Sequence, residues 1–231
     1  MDLKKEFPQV KLLIAQKHLG FGGGMNFAMP HADGRYLFVF NPDIATFDGT
    51  FDALLTYMES HPDVGMVGPK LLNPDRTLQY SCSKFMKPSI IFYRRIPVLR
   101  SMSFAKKAVD DYQMKNWVHD EVAEVDYLLG AAMFVRREAV EQVGGFDPNF
   151  FVYFEDQDWC RRFWLSGWRV MYHAQIEFVH YHRRETSVGS FFQQLCNPLT
   201  RIQMQSAIYY YKKYRGQDNP RHARRSFPSQ E

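Results

Sequence analysis

The sequence predicts an α/β fold. Short apolar runs of strand character at 11–15 and 35–40 alternate with helical runs at 47–60 and from Asp156 onward, and glycine-rich or acidic turns stand between them. The chain has 231 residues, enough for one domain with a substantial core plus an appendage. At 45% hydrophobic and 16% aromatic it reads as globular rather than disordered.

The run at 11–15 reads as a buried strand. The stretch Gly20-Phe21-Gly22-Gly23-Gly24-Met25-Asn26 follows as a turn, with a helix after it through Ala32. Glycines between a strand and a helix let a backbone approach a phosphate closely, or simply make a tight turn; neither the P-loop nor the dinucleotide fingerprint fits. The strand at 35–40 ends at Asn41-Pro42-Asp43, where proline cannot continue a central ladder. Ligands of open α/β sheets bind at the carboxyl ends of strands, so Asp43 is placed to hold a divalent cation; turn formation is its ordinary role.

A helix is expected over 47–60 with Leu54, Leu55 and Met58 on one face. Strand pieces are expected at 64–67 and 70–72, a turn at Asn73-Pro74-Asp75, and an edge strand or hairpin arm over 77–85. From 84 to 120 the periodicity is poor and the residues are basic and aromatic, which predicts a long excursion over a cleft. Strand character returns over 122–135, with Gly130-Ala131-Ala132 in its middle, small enough for a helix or a bound sugar to lie close. A short helix at 137–143 stops at Gly144-Gly145.

The densest signal is Phe150-Phe151-Val152-Tyr153-Phe154-Glu155-Asp156-Gln157-Asp158. Aromatics this crowded favour burial and carboxylates oppose it, a combination that suits the floor of a cleft. Trp159, Cys160, Phe163 and Trp164 recur at helical spacing, and Asp156 falls in the middle of their face, in the first turn. Asp158 and Arg162 fall on the opposite face, one turn apart, where they can pair. Asp156 is either a cap held by the helix N-terminus or a base aimed into a pocket. Gly167 fits a C-cap. Strands then run over 168–182, where the alternate His180 and His182 share a face.

Over 191–214 a helical segment carries Leu195, Leu199, Ile202, Ile208 and Tyr209 to Tyr211, with Pro198 interrupting its first part. Tyrosines followed by Lys212, Lys213 and Arg215 suit either an anionic membrane surface or an ordinary packed terminal helix. The net charge of +4 is mild but uneven: Arg94, Arg95, Arg100, Lys106 and Lys107 form one basic group, and Lys212, Lys213, Arg215, Arg221, Arg224 and Arg225 another. No nucleic-acid motif surrounds these arginines, so nucleic acid is not an expected partner. Nothing resembles a signal peptide, and no apolar run reaches the length of about 18 residues that spans a bilayer. Cys82, Cys160 and Cys196 are odd in number and far apart, which points to a reducing compartment.

Taken in order, Leu19-Gly20-Phe21-Gly22-Gly23-Gly24-Met25-Asn26, Asn41-Pro42-Asp43, Gly130-Ala131-Ala132-Met133, Gly145-Phe146-Asp147, Tyr153-Phe154-Glu155-Asp156-Gln157-Asp158 and His180 resemble family 2 glycosyltransferases. Within that family they resemble the rhamnosyltransferase-like branch that builds bacterial surface polysaccharides. The resemblance covers roughly residues 10–190. It implies a GT-A fold, a Rossmann-like, mostly parallel sheet flanked by helices, over residues 1–188, with a C-terminal helical appendage and basic tail over 189–231. It implies a nucleotide-sugar donor, Mg²⁺ or Mn²⁺, and transfer with inversion to a glycan or lipid-linked acceptor at the inner membrane face, by a cytoplasmic or peripheral protein.

Carried onto this sequence, the resemblance makes Asp156 the catalytic base and Asp43 and His180 the metal ligands. It places Gly20, Phe21, Gly22, Gly24 and Asn26 along the donor with Asn41 and Asp43, and Gly130 and Glu155 on the acceptor side. Glu155 can raise the proton affinity of Asp156 by like-charge repulsion. Two departures stand out. His18 occupies a position usually held by Asn, and the family normally begins with a βαβ unit of roughly 30 residues ahead of the first run here. That unit carries much of the base and ribose recognition, so a chain lacking it is expected to be a poor enzyme. The competing reading is a catalytically impaired fragment or paralogue that binds glycan or a partner transferase.

Overall fold

The computed structural model describes residues 3–181 and 197–224. The main sheet runs in the order β1 (Tyr36–Phe40), β8 (Ala132–Arg136), β3 (Val64–Leu72), β9 (Arg169–His180) and β2 (Ile44–Ala45). Two short strands join it, β4 (Leu78–Gln79) on β3 and β6 (Ala123–Glu124) on β9. Strand β8 is antiparallel to both β1 and β3, while β3 and β9 are parallel. Strands β1, β3 and β9 therefore share one direction and β8 runs against them, so the sheet is mixed. Strands β5 (Cys82–Ser83) and β7 (Tyr127–Leu128) form a separate two-stranded ribbon.

Alternation along the strands divides the core. Met66, Met133, Val135, Val170 and Tyr172 face a large cluster that contains Phe146, Phe150, Trp159 and Phe163. Val67, Ala132, Phe134 and Met171 face a smaller one with Leu54 and Met58. Helix α3 (Thr50–Ser60) covers the second face through Leu54 and Met58, as the 3.6-residue spacing predicts; Leu55 points outward. Helices α7 (Arg137–Val143) and α8 (Glu155–Leu165) cover the first. Gly167 follows α8 in the left-handed region, φ 85°, as a C-cap glycine does.

Several expectations are corrected. Residues 11–15 form no strand, and Ile14 is 78% exposed. An apolar run becomes a strand only where a neighbour completes its ladder, and this one pairs with none among the described residues. The glycine-rich stretch is not a turn ahead of a helix; it is helix α2 (Gly20–Ala28) itself. The pieces at 64–67 and 70–72 are one strand, β3, which passes Pro69 by a register shift against β9. The strand expected over 122–135 is broken into β6, β7 and β8, with Gly130 and Ala131 at the junction.

The excursion over 84–120 is largely helical, with α4 (Pro88–Arg95), α5 (Pro97–Arg100) and α6 (Ser103–Tyr112) packed on one another. Prolines at the first turns of α4 and α5 start helices rather than break them. Pro198 does the same for α9 (Pro198–Lys213), after Asn197 accepts the Leu199 N–H as N-cap. The last described element is α10 (Pro220–Arg224). The part of the expected C-terminal helix before Asn197, and His182, lie outside the described residues. No helix among the described residues is long and apolar enough to cross a membrane.

Helix α9 packs on α8, with Ala207, Tyr210 and Tyr214 in the same cluster as Trp159. Helix α8 is therefore buried nearly all round rather than along one stripe. Asp158, expected opposite the apolar face, has a fully buried side chain. It pairs with Arg162 as predicted, Nε to Oδ2 2.8 Å, and also receives Lys213 Nζ at 2.6 Å and the Tyr214 hydroxyl at 2.8 Å on Oδ1. Of the two readings of the tyrosines, the packed terminal helix is the one these contacts fit: Tyr209 donates to Asp147 and Tyr211 to the Met86 carbonyl.

Candidate active site

Asp43 and His180 are brought together by the sheet. Asn41 leaves β1 with its N–H on the Ala131 carbonyl (2.9 Å), and the Asp43 carbonyl accepts the Tyr181 N–H (2.9 Å). The next residue, Ile44, stands opposite His180 in the β2–β9 ladder. This register sets His180 Nε2 3.3 Å from Asp43 Oδ1, with the imidazole buried and the carboxylate half-exposed.

The state of His180 is decided by hydrogen bonds behind it. Asp75, a carboxylate, only accepts, and takes the Thr77 hydroxyl at 2.6 Å. Thr77 Oγ1 accepts from Asn73 Nδ2 (2.9 Å), Asn73 Oδ1 from Gln79 Nε2 (3.2 Å), and Gln79 Oε1 from His180 Nδ1 (2.6 Å). Every link runs the same way, so Nδ1 carries a proton; in the neutral imidazole the lone pair is then on Nε2. The Asn41 amide, 3.4 Å from Nε2, donates in agreement. Asp43 Oδ1 is buried and receives no hydrogen bond among the described residues. Two electron-pair donors turned on each other fit a divalent cation between or beside them. No third His, Cys, Asp or Glu completes a ligand group among the described residues. Phosphate oxygens and water are the natural further ligands of such a cation.

Asp156, expected to be the base, stands across the Gly130–Ala131 junction. Asp156 lies in the first turn of α8, where Oδ1 accepts the Gln157 N–H (2.8 Å) and Oδ2 the Gly130 N–H (3.3 Å). Gly130 thus holds Asp156 while its neighbour Ala131 holds Asn41, so one dipeptide ties the two halves of the site. The entry to α8 is strained. Tyr153 and Phe154 both have left-handed backbones, φ 69° and 71°, at a cost on the order of 1–3 kcal/mol each. Phe150 and Phe154 are buried beneath this turn, as the crowded aromatics predict.

Burial raises the Asp156 carboxyl, against the Gln157 and Gly130 N–H groups that lower it. Glu155, 5% exposed with one carboxylate oxygen unpartnered among the described residues, is raised by burial first and by the charge of Asp156 second. Desolvation rather than like-charge repulsion is therefore the leading cause at Asp156.

Two glycines of α2 serve packing. A Cβ on Gly20, φ 74°, would meet the Phe151 carbonyl oxygen at 1.9 Å, and one on Gly22 would meet Phe146 Cβ at 2.8 Å. Asn26 spends both ends of its amide on the Phe146 backbone, at 2.7 and 2.8 Å. These three residues clamp α2 onto the loop leading to α8. Phe21 packs edge-on against Phe146 and beside Gly130. Gly24 lines an open groove of about 270 Å³ with Leu13, His18 and Phe27.

Other residues were invisible to sequence reasoning. Gln79 orients His180, and Gln157 accepts the Met86 N–H (2.8 Å), anchoring the root of the α4–α6 excursion one residue from Asp156. Tyr112 and Tyr127 pair their buried hydroxyls at 2.5 Å. Burial raises Tyr127 most, and the Asp156 charge adds to it.

Residues 1–203 match a family model described as Glycosyltransferase like family 2. The chain belongs to that family. Among curated family 2 relatives, the N-acetylglucosaminyl-diphospho-decaprenol L-rhamnosyltransferase of Mycobacterium tuberculosis (strain ATCC 25618 / H37Rv) is 30% identical over 194 residues, which are 79% of this chain and 62% of the relative. Rhamnosyltransferase WbbL of Escherichia coli (strain K12) is 28% identical over 185 residues, 76% of this chain and 65% of the relative. The chain thus spans less than two thirds of the length of these relatives. GalNAc-T7, solved with UDP, GalNAc and Mn²⁺, superposes with a TM-score of 0.55 at 12% identity, over 91% of this chain and 46% of that one. That likeness is one of fold, the GT-A fold.

Proposed function

We propose that this family 2 chain carries the catalytic centre of an inverting glycosyltransferase. It moves a sugar, rhamnose on the pattern of the relatives' names, from a nucleotide-sugar donor to a glycan or lipid-linked acceptor in envelope polysaccharide assembly. The single observation that supports this best is the junction at Gly130–Ala131, which ties Asp156 on one side to the Asn41–Asp43 segment and His180 on the other.

A sugar hydroxyl is a weak nucleophile, and Asp156 takes its proton as the oxygen attacks the anomeric carbon. The bond to the donor's diphosphate breaks on the opposite face, which inverts the centre. Mg²⁺ or Mn²⁺, when bound, neutralises charge on the departing diphosphate. Asp43 and His180 are the residues that would hold it, with the Nε2 lone pair already facing the carboxylate. Asn41 and Gly24 border the donor side; Gly130 and Glu155 border the acceptor side. A protein serving a lipid-linked acceptor works against the inner face of the cell membrane.

Calorimetry with a nucleoside diphosphate tests the donor half. Binding that strengthens with Mn²⁺ and disappears in EDTA is expected; equal affinity in both would defeat the metal assignment. Transfer from nucleotide-activated rhamnose to an N-acetylglucosaminyl-diphospho-lipid tests the whole reading.

A further inference from the structure

Residues 84–107 contain seven basic side chains (Lys84, Lys87, Arg94, Arg95, Arg100, Lys106, Lys107) and no acidic one. The fold gathers them on the α4–α6 unit. Its inner side is anchored by buried Ile90, Ala105 and Tyr112, and by the Arg95 guanidinium on Gln203 of α9. Its outer side carries Phe92, Val98 and Phe104, exposed by 52%, 66% and 54%, among exposed Arg94, Arg100, Lys106 and Lys107. The nearest acids, Asp110 and Asp111, are engaged by Lys115 and Lys84 at the root of the unit. None of the four outer cations has an ion-pair partner among the described residues.

We infer that the α4–α6 face seats the protein on an anionic lipid bilayer. Large apolar side chains standing out among cations of one sign match a headgroup layer of negative charge over an acyl core. A soluble partner protein would demand complementary shape; this face offers short helices with exposed apolar side chains among cations of one sign. Its placement also suits a reaction at the membrane. The unit's root is fixed by Gln157 on the Met86 N–H, one residue from Asp156, so a bilayer under α4–α6 lies beside the acceptor side of the site. In this purpose the inference rests on the proposed transfer to a lipid-linked acceptor, but the binding itself requires neither donor nor acceptor.

Flotation with phosphatidylcholine vesicles, with and without 30% phosphatidylglycerol, tests it. The full chain is expected to float with the anionic vesicles only, and salt should release it. Arg100→Glu with Lys107→Glu should cut partitioning by about 20-fold or more. Val98→Ser with Phe104→Ser should cut it at constant charge. Lys212→Glu with Arg215→Glu, on the exposed end of α9, should leave it within a factor of about three. All variants should keep nucleoside diphosphate affinity and the charge variants wild-type melting temperatures, because those side chains are on the surface; Phe104→Ser should lower melting slightly, since Phe104 meets Tyr93 edge-on. Loss of vesicle binding through the α9 pair instead, or a chain retained by single-stranded RNA and not by anionic vesicles, would overturn the assignment. A chain that binds donor normally but never floats would sink this inference and leave the transferase reading standing.

Discussion

His180 gives its Nδ1 proton to Gln79 Oε1 at 2.6 Å, and that single bond decides what the imidazole offers to Asp43. Gln79 cannot reverse its amide without breaking the chain through Asn73 and Thr77 that ends on the Asp75 carboxylate. Groups behind a ligand tune metal affinity by 10–100-fold. Gln79→Leu should therefore weaken Mn²⁺ binding by about that factor, as titrated by calorimetry. Nitrogen NMR of the metal-free protein should show His180 leaving the Nδ1–H tautomer. Unchanged tautomer and unchanged affinity in this variant would mean that Gln79 is only structural.

Asp156→Asn should lower the transfer rate by about 10²–10⁴ while donor affinity and melting temperature stay near wild type. Because burial raises this carboxyl, activity should climb with pH along a limb lying above the usual aspartate value of 3.8. Near-normal turnover in the variant, or a limb at the ordinary value, would remove Asp156 from the role of base.

Glu155 is raised from 4.5 to about 8, by burial and then by Asp156. The folded chain thus holds this proton more tightly than the unfolded chain does. The resulting stability is fully present below pH 4.5 and is lost as pH rises through about 8. Thermal melts from pH 5 to 8.5 should show wild type weakening across this range. Glu155→Gln, which cannot ionise, should give a flatter profile and the more stable protein at pH 8. Parallel profiles for the two proteins would contradict the assignment.

Asp158 holds α9 to α8 through Lys213 and Tyr214. Asp158→Asn should cost about 3 kcal/mol, at the low end for a broken buried pair because Lys213 keeps Asp147 at 2.6 Å. Denaturant titration reads this loss, and nucleoside diphosphate affinity below the transition should not move. Tyr214→Phe, which loses only a hydroxyl, should cost about 1 kcal/mol.

Much of this was legible in the residues. The spacing of Trp159, Cys160, Phe163 and Trp164 marks a helix, and its partner pair Asp158–Arg162 follows from four-residue spacing alone. Residues 137–143 are read with their observed bounds, since Gly144 ends them. The ordered motifs named the family and pointed to Asp43 and His180, which the sheet sets 3.3 Å apart. All of these are local signals, in which a residue's environment is set by neighbours a few positions away.

Tertiary structure decided the rest, because it depended on contacts between distant positions. Asn41 and His180 are 139 residues apart, Gln79 and His180 are 101, and only strand register makes either pair neighbours. The glycine-rich stretch read as a turn ahead of a helix, yet it is helix, and Gly20 and Gly22 within it closely approach Phe151 and Phe146, 120 or more positions on. A two-sided helix pattern put Asp158 opposite the apolar face, and α9 arriving from the C-terminal side buried it. Local periodicity tells which face of an element is apolar; it does not tell what will come to cover the other.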